Sequence, residues 1–211
     1  MTKDRKKGIG LSATSELKED DSIDDKVKLA QQKEAREATQ APSKSTQVLL
    51  RRPISEDGAN VHRLIGNCPP LDTNSLYCNL LQASHFSATS VAAELNGELV
   101  GFISGYIIPE RADTLFIWQV AVAEQGRGMG LAGRMLREIL ARPACTEVQF
   151  LETTITPDND ASWALFRSLA RKLEAECADS VMFDRDRHFD GQHDSEMLLR
   201  IGPFTAAGDA R

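Results

Sequence analysis

The chain has 211 residues and a mass of 23.2 kDa, with 41% hydrophobic and 27% charged residues, which fits one globular domain with a real core and excludes a repeat array. No stretch approaches the roughly 20 apolar residues of a membrane-spanning helix, and the first ten residues lack the apolar core of a secretory signal, so we expect a cytoplasmic protein. The net charge of −6 and the pI near 5.3 argue against a nucleic-acid partner.

The first 45 residues differ in composition from the rest. They contain 10 Lys and Arg, 9 Asp and Glu, and no aromatic residue. Such a segment buries too little apolar surface to offset its ordering entropy. The sequence therefore predicts a disordered, charged tail over 1–45 and one domain over 46–211.

The first half of the domain is predicted to begin with a short strand that is followed by two helices. Apolar spacing predicts a strand over 47–51 and helices over 55–67 and 72–86. The period then drops to two, which predicts strands over 91–95 and 98–108. The Asn-Gly pair between them is the strongest hairpin signal in the chain, because it tolerates the positive φ of a tight turn.

The second half alternates strands and helices. The predicted strands lie at 114–123, 147–154 and 196–202, and the predicted helices at 131–141 and 156–173. An aspartate-rich loop is expected before the last strand. The order β-α-α-β-β-β-α-β-α-β predicts an α/β fold with a mixed, mostly antiparallel sheet flanked by helices.

The four cysteines form no Cys-x-x-Cys pair and have no neighbouring cluster of metal-ligand residues. They are Cys68, Cys78, Cys145 and Cys177. This pattern predicts buried free thiols rather than a disulfide framework or a metal site.

A glycine-rich turn, from Gln125 to Gly130, separates a predicted strand from an amphipathic helix. The N–H groups of a helix N-terminus favour an anion, and glycines let a phosphate approach the main chain. Arg127 adds a charge-assisted contact. The glycine spacings of the P-loop and the Rossmann fold are both absent, and an ordinary glycine-rich turn is the alternative.

The spacing Q-x-x-G-x-G in this turn resembles that of the GNAT superfamily of acetyl-CoA-dependent N-acetyltransferases. The resemblance implies that the turn wraps the CoA pyrophosphate and that the preceding strand offers its backbone to pantetheine. Phe166 stands where the family often has a tyrosine that protonates the departing thiolate. The cofactor-binding residues that the resemblance implies are Val120, Val122, Gln125, Gly126, Arg127, Gly128, Met129, Gly130, Leu131, Asn159 and Phe166.

A closer resemblance covers about residues 47–203. The runs Asp-x-Asn-Ser-x-Tyr and Phe-x-Trp-Gln, which are not general features of the superfamily, are similar to those of the diaminobutyrate acetyltransferases of ectoine biosynthesis. This resemblance implies transfer of an acetyl group from acetyl-CoA to the γ-amine of L-2,4-diaminobutyrate. It also implies a homodimer, and it requires no metal.

The same resemblance implies a set of substrate contacts: Asp72, Asn74, Tyr77, Trp118 and His193. From residue type alone, helix capping by Asp72 and packing of Tyr77 are equally good interpretations. Strand alternation predicts that Trp118 shares a face with Val120 and Val122, where the reaction takes place.

Only a neutral amine attacks a thioester, so the site needs a proton acceptor. Two glutamates are candidates, Glu152 on a strand and Glu196 in a His-x-x-Glu pattern, and the sequence does not decide between them. A strand amide near Val120 is expected to stabilise the developing oxyanion. For the substrate α-carboxylate the available cations are Arg51, Arg52 and Arg111, and no argument places any of them.

Two other functions stay open at this point. One is an acetyltransferase of the same fold that acts on a polyamine, an aminoglycoside or a protein N-terminus. The other is a non-catalytic acyl-CoA sensor, suggested by phenylalanine at position 166.

Overall fold

The structure is a computed structural model that describes residues 47–205. The predicted tail over 1–45 lies outside the described residues, so its disorder stays a prediction. No helix among residues 47–205 is long and apolar enough to cross a membrane.

Residues 47–205 form one sheet with helices on both faces. The strands are β1 (Leu49–Arg51), β2 (Val91–Leu95), β3 (Glu98–Ile108), β4 (Arg111–Val122), β5 (Phe150–Ile155), β6 (Cys177–Phe183) and β7 (Glu196–Ile201). The helices are α1 (Gly58–Gly66), α2 (Leu76–Ser84), α3 (Leu131–Leu140), α4 (Asp160–Lys172) and α5 (Arg185–Phe189).

The strand order in the sheet is β1-β2-β3-β4-β5-β7-β6. Every neighbouring pair is antiparallel except β4 and β5, which run parallel with α3 as the crossover between them. This topology confirms the predicted mixed, mostly antiparallel α/β sheet.

The core has two parts because neighbouring residues of a strand point to opposite faces. Ile103 belongs to the larger cluster, where α3 and α4 pack through Met135 and Phe166. Phe102 belongs to the smaller one, where α1 packs through Val61. Strand β4 has core residues on both faces, Ile117 in the larger cluster and Ala121 in the smaller one, whereas Leu151 and Ile155 of β5 belong to the larger cluster.

The predicted hairpin is confirmed, with Asn96 at φ 53° and Gly97 at φ 85°. The helix predicted over 72–86 begins four residues later than expected. Ser75 is its N-cap, since its Oγ accepts a hydrogen bond from the Cys78 N–H at 3.1 Å. Residues 72–74 therefore lie in the loop before α2, not in its first turn.

Two elements near the C-terminus were missed by the sequence analysis. Strand β6 is exposed along its whole length, so no burial selects an apolar period in its sequence. Helix α5 lies inside the predicted polar loop. It begins after Asp184, whose carboxylate accepts hydrogen bonds from the N–H groups of Asp186 at 3.0 Å and Arg187 at 2.9 Å.

All four cysteines are free thiols. Cys68 and Cys145 are buried as predicted, whereas Cys177 is exposed on β6. The prediction of buried thiols is therefore wrong for Cys177, because the edge strand that carries it has no covering layer.

Candidate active site

A cleft of about 530 Å³ opens between the ends of β4 and β5. The two strands pair only from Thr114 to Ile117 on β4 and from Phe150 to Thr153 on β5, although both continue further. Beyond this point the strands separate. One wall of the cleft consists of residues 118–120 and the opposite wall of residues 153–156.

A bulge in β4 lies at the point of separation. Ser104 pairs with Gln119 and Gly105 with Ile117, so Trp118 is the extra residue. Its indole, 44% exposed, lies 6.3 Å from the ring of Phe86 and 6.4 Å from that of Tyr106.

The bulge makes the predicted alternation wrong. Val120 and Val122 pack against the core of α3 and α4, whereas Trp118 contacts aromatic rings elsewhere. The indole still lines the cleft, because a bulge re-aims a side chain without removing it from the strand end.

The glycine-rich turn lies between β4 and α3. Gly128 has φ 74° and Gly130, the N-cap of α3, has φ 64°, and a Cβ on either would project into open space. The first N–H groups of α3 have no partner within the helix. The turn therefore presents open main-chain donors at a positive helix end, which fits a diphosphate.

Other residues of the predicted turn have different surroundings. Gly126 is buried, and a Cβ there would lie 3.0 Å from Leu131 and 3.1 Å from Val122, so packing explains this glycine. Gln125 and Met129 are exposed. Arg127 donates from Nε to the Val122 carbonyl at 3.3 Å.

Val122 itself does not line the cleft, and its carbonyl accepts hydrogen bonds within the domain from Arg127 and from the Cys68 thiol. Val120 does line the cleft. Of the two strand residues expected to meet pantetheine, Val120 lines the cleft, and the contact of each with pantetheine stays a prediction.

Helix α4 closes the far side of the cleft. Asn159 is its N-cap, and its Oδ1 accepts a hydrogen bond from the Ser162 N–H at 3.1 Å, which leaves its amide NH₂ to donate elsewhere. Phe166 also lines the cleft and is 2% exposed. Its ring supplies an apolar wall and no hydroxyl donor.

Three predicted residues meet on the acidic side of the cleft: Asp72, His193 and Glu196. His193 Nε2 lies 3.5 Å from Asp72 Oδ2. The hydrogen bond to the Asp194 carbonyl, together with the charges of Asp72 and Glu196, raises the pKa of His193 against an opposing effect of burial.

Glu196 is half-buried, and its burial raises the pKa of its carboxyl above the usual value, although a hydrogen bond with the Thr154 side chain opposes this. A carboxylate with a raised pKa accepts a proton more readily near neutral pH. Glu196 therefore lines the cleft and is a stronger base than an exposed glutamate.

Glu152 lies outside the cleft lining, in an ion-paired cluster with two arginines. Its carboxylate accepts two hydrogen bonds from Arg111, at 2.6 and 2.7 Å, and another from Arg200. Burial would raise the pKa of Glu152, but these hydrogen bonds outweigh it and lower the pKa. The residue is 1% exposed and does not line the cleft. Of the two base candidates, this geometry favours Glu196 over Glu152.

Tyr77 is also placed away from the cleft. It lies in the first turn of α2 and is 69% exposed. Because α2 begins at Leu76, Asp72 lies in the loop before the helix and not on the same helix as Tyr77. Tyr77 does not line the cleft, and its contact with the acceptor stays a prediction.

Gln119 and Arg185 are among the lining residues that sequence reasoning missed. Gln119 Oε1 accepts a hydrogen bond from Asn74 Nδ2 at 2.5 Å, and its Nε2 lies 3.5 Å from the Asp72 carbonyl. A polar residue inside an apolar strand was the available signal for Gln119. For Arg185 the available signal was Asp184, a typical N-cap residue, which indicates that a helix begins at Arg185.

This architecture defines a class of protein. Parallel strands that separate at their ends, with a glycine turn and a helix N-terminus alongside, form a site for a long phosphate-bearing cofactor beside an acidic pocket. A model of the Acetyltransferase (GNAT) family matches residues 61–170. The chain belongs to the GNAT family of acetyltransferases.

Within this family, the chain is similar to proteins that share one named activity. The L-2,4-diaminobutyric acid acetyltransferase of Methylotuvimicrobium alcaliphilum is 62% identical over 159 residues, which are 75% of this chain and 92% of the relative. That of Halomonas elongata is 48% identical over 158 residues, 74% of this chain and 82% of the relative.

Solved structures of acetyltransferases are also similar to this chain. A diaminobutyrate acetyltransferase from Paenibacillus lautus, in complex with L-2,4-diaminobutyric acid and coenzyme A, matches with a TM-score of 0.73 and 41% identity, covering 76% of this chain and 97% of that one. The Escherichia coli ribosomal-protein-S18-alanine N-acetyltransferase, at 14% identity, 78% and 99% coverage and a TM-score of 0.58, shares the fold.

Proposed function

We propose that the chain transfers the acetyl group of acetyl-CoA to the γ-amine of L-2,4-diaminobutyrate, giving the N-γ-acetyl compound and CoA, as the acetyl-transfer step of ectoine biosynthesis. In this reaction an amide C–N bond forms, the thioester C–S bond breaks, and the amine loses a proton. The observation that carries the proposal is the 62% identity over 92% of a relative with this named activity. The activity is assigned to residues 46–211.

The cofactor side rests on the main chain. Gly128, Gly130 and the first N–H groups of α3 are the proposed diphosphate donors, and the backbone of Val120 is the proposed partner of pantetheine. The amide NH₂ of Asn159 is free to donate to the same arm. A positioned N–H near Val120 would stabilise the charge that develops on the acyl oxygen.

No side-chain acid is needed at Phe166. A thiol has a pKa near 8.5, so thiolate is a tolerable leaving group near neutral pH. The buried ring instead keeps water from this part of the cleft, which limits hydrolysis of the thioester.

The acceptor side rests on charge. At neutral pH L-2,4-diaminobutyrate carries two ammonium groups, and Asp72 and Glu196 attract them. Trp118 adds a cation–π contact of about 0.5–2 kcal/mol. Asn74, held by Gln119, fixes the loop that carries Asp72.

Glu196 is the proposed general base. An unperturbed alkyl ammonium with a pKa of about 10.4 is neutral roughly once in 10³ at pH 7, so proton removal must be assisted. Burial raises the pKa of Glu196 and brings it closer to that of the amine. His193 holds Asp72 beside it and shapes the local charge.

A homodimer is proposed as the working form, in the cytoplasm where acetyl-CoA is available. Strand β6 lies at the edge of the sheet and exposes Val181 (54%), Met182 and Phe183. An apolar, unpaired edge of this kind favours pairing with a second copy. Sedimentation should give twice the 23.2 kDa chain mass, and Val181→Lys should lower it.

The experiment is thiol release from acetyl-CoA with a panel of amines, and identification of the product by NMR. We expect L-2,4-diaminobutyrate to have the highest kcat/KM and acetylation to fall on the γ-nitrogen. Ornithine and lysine, longer by one and two methylenes, should be poorer by about 10- to 200-fold per methylene. A preference for a polyamine or a peptide would show that diaminobutyrate is not the acceptor. Binding of acetyl-CoA without turnover would indicate a non-catalytic acyl-CoA sensor.

A further inference from the structure

The charges that line the cleft are unequal. Its carboxylates come from Asp72, Asp158, Asp194 and Glu196, while Arg185 supplies the guanidinium among the described lining residues. The carboxylates match the two ammonium groups of a diamino acid. One group of the acceptor, its α-carboxylate, needs a cation instead.

The backbone of Arg185 is fixed by hydrogen bonds, and its exposed guanidinium makes one hydrogen bond and keeps most of its donors. Its main-chain N–H donates to Ser195 Oγ at 2.9 Å, and Nη2 donates to the Gly191 carbonyl at 3.3 Å. Asp184 caps the same helix and so orients its first residue. Among residues 47–205, no carboxylate lies within 4.0 Å of the Arg185 guanidinium, which retains the fork of donors that carboxylates prefer.

The arginines suggested by the sequence are engaged elsewhere. Arg51 is paired with Asp57 at 2.7 Å. Arg111 is paired with Glu152 at 2.6 Å. Arg52 donates to Ser87 Oγ at 3.0 Å, and none of the three lines the cleft.

We propose that Arg185 binds the α-carboxylate of the acceptor and so makes the enzyme select an amino acid over a plain diamine. This inference rests on the proposed function. The guanidinium donates a forked pair of hydrogen bonds to the carboxylate, while the carboxylates on the acidic side of the cleft hold the ammonium groups. Arg185 is thus a specificity-determining residue on α5.

The test compares two acceptors that differ only in the carboxylate, L-2,4-diaminobutyrate and 1,3-diaminopropane. The variants are Arg185→Gln, which keeps a donor for Gly191 but removes the charge, and Arg185→Lys, which keeps the charge without the fork. The matched control is Arg187→Gln, an exposed arginine of the same helix that does not line the cleft.

We expect Arg185→Gln to lower kcat/KM for diaminobutyrate by roughly ten- to a hundredfold, the size of a charge-assisted hydrogen bond, with less than a twofold change for diaminopropane. The KM for acetyl-CoA should not change. Arg185→Lys should restore part of the preference, and Arg187→Gln should match the wild type. The acceptor ratio is internal to each protein, so loss of folded enzyme does not alter it.

An unchanged acceptor ratio in Arg185→Gln, or equal losses on both acceptors, would overturn the inference while wild-type turnover of diaminobutyrate leaves the proposed function standing. Wild-type protein that does not acetylate diaminobutyrate would overturn both.

Discussion

Exchanging Glu152 for glutamine removes one negative charge that two guanidinium groups share, with almost no change of shape. The carboxylate is 1% exposed and receives two hydrogen bonds from Arg111, at 2.6 and 2.7 Å, and one from Arg200. The variant leaves both arginines side by side without a counter-charge. The interaction is therefore expected to support the fold rather than the chemistry.

The magnitude follows from the burial of the partners. Breaking a fully buried ion pair costs about 3–5 kcal/mol. The side chains of Arg111 and Arg200 are 43% and 34% exposed, so water recovers part of their solvation in the variant. We expect a loss of about 2–3 kcal/mol, which corresponds to a fall in Tm of roughly 5–10 °C for a domain of this size.

The assay pairs Glu152→Gln with Glu196→Gln, the same chemical change on the neighbouring strand. Thermal unfolding and steady-state kinetics are measured on both. Glu152→Gln should lose stability and keep kcat below its Tm, whereas Glu196→Gln should keep its Tm and lose about 10²–10⁴-fold in kcat. If Glu152→Gln proves stable but inactive, or Glu196→Gln retains kcat, the roles assigned to the two glutamates are wrong.

The remaining predictions concern pH and the two ligands. Glu196 must be deprotonated to accept a proton, and burial raises its pKa, so kcat should fall as pH drops through a value above the ordinary glutamate pKa of about 4.3, a limb that Glu196→Gln should lack. Gly128→Val places a branched side chain at φ 74° in the proposed diphosphate site and should raise the KM for acetyl-CoA by at least about tenfold, with little effect on the KM for the acceptor. Trp118→Ala should do the reverse, raising the KM for diaminobutyrate by about 2- to 30-fold through the lost cation–π contact. Titration of each variant with acetyl-CoA and with diaminobutyrate checks both predictions. Equal losses of affinity for the two ligands in either variant would contradict the proposed separation of the cofactor site from the acceptor site.

Local chemistry explains what the sequence by itself determined. The Asn96–Gly97 hairpin needs only two residues that tolerate positive φ, and the glycine turn before α3 needs only glycines at a helix start. The amphipathic period of α3 is likewise contained in ten residues. Each signal lies within a short stretch of chain, so the sheet class and the position of the glycine-rich turn before α3 could be read from sequence.

Only the tertiary structure distinguishes the two candidate bases and shows the orientation of Trp118. Glu152 and Glu196 look alike in sequence, and what separates them is Arg111, 41 residues before Glu152, and Arg200, 48 residues after it. The bulge that re-aims Trp118 depends on the register between β3 and β4. Burial, ion pairing and strand register arise between residues far apart in the chain, so the sequence by itself does not show that Glu152 is ion-paired while Glu196 lines the cleft.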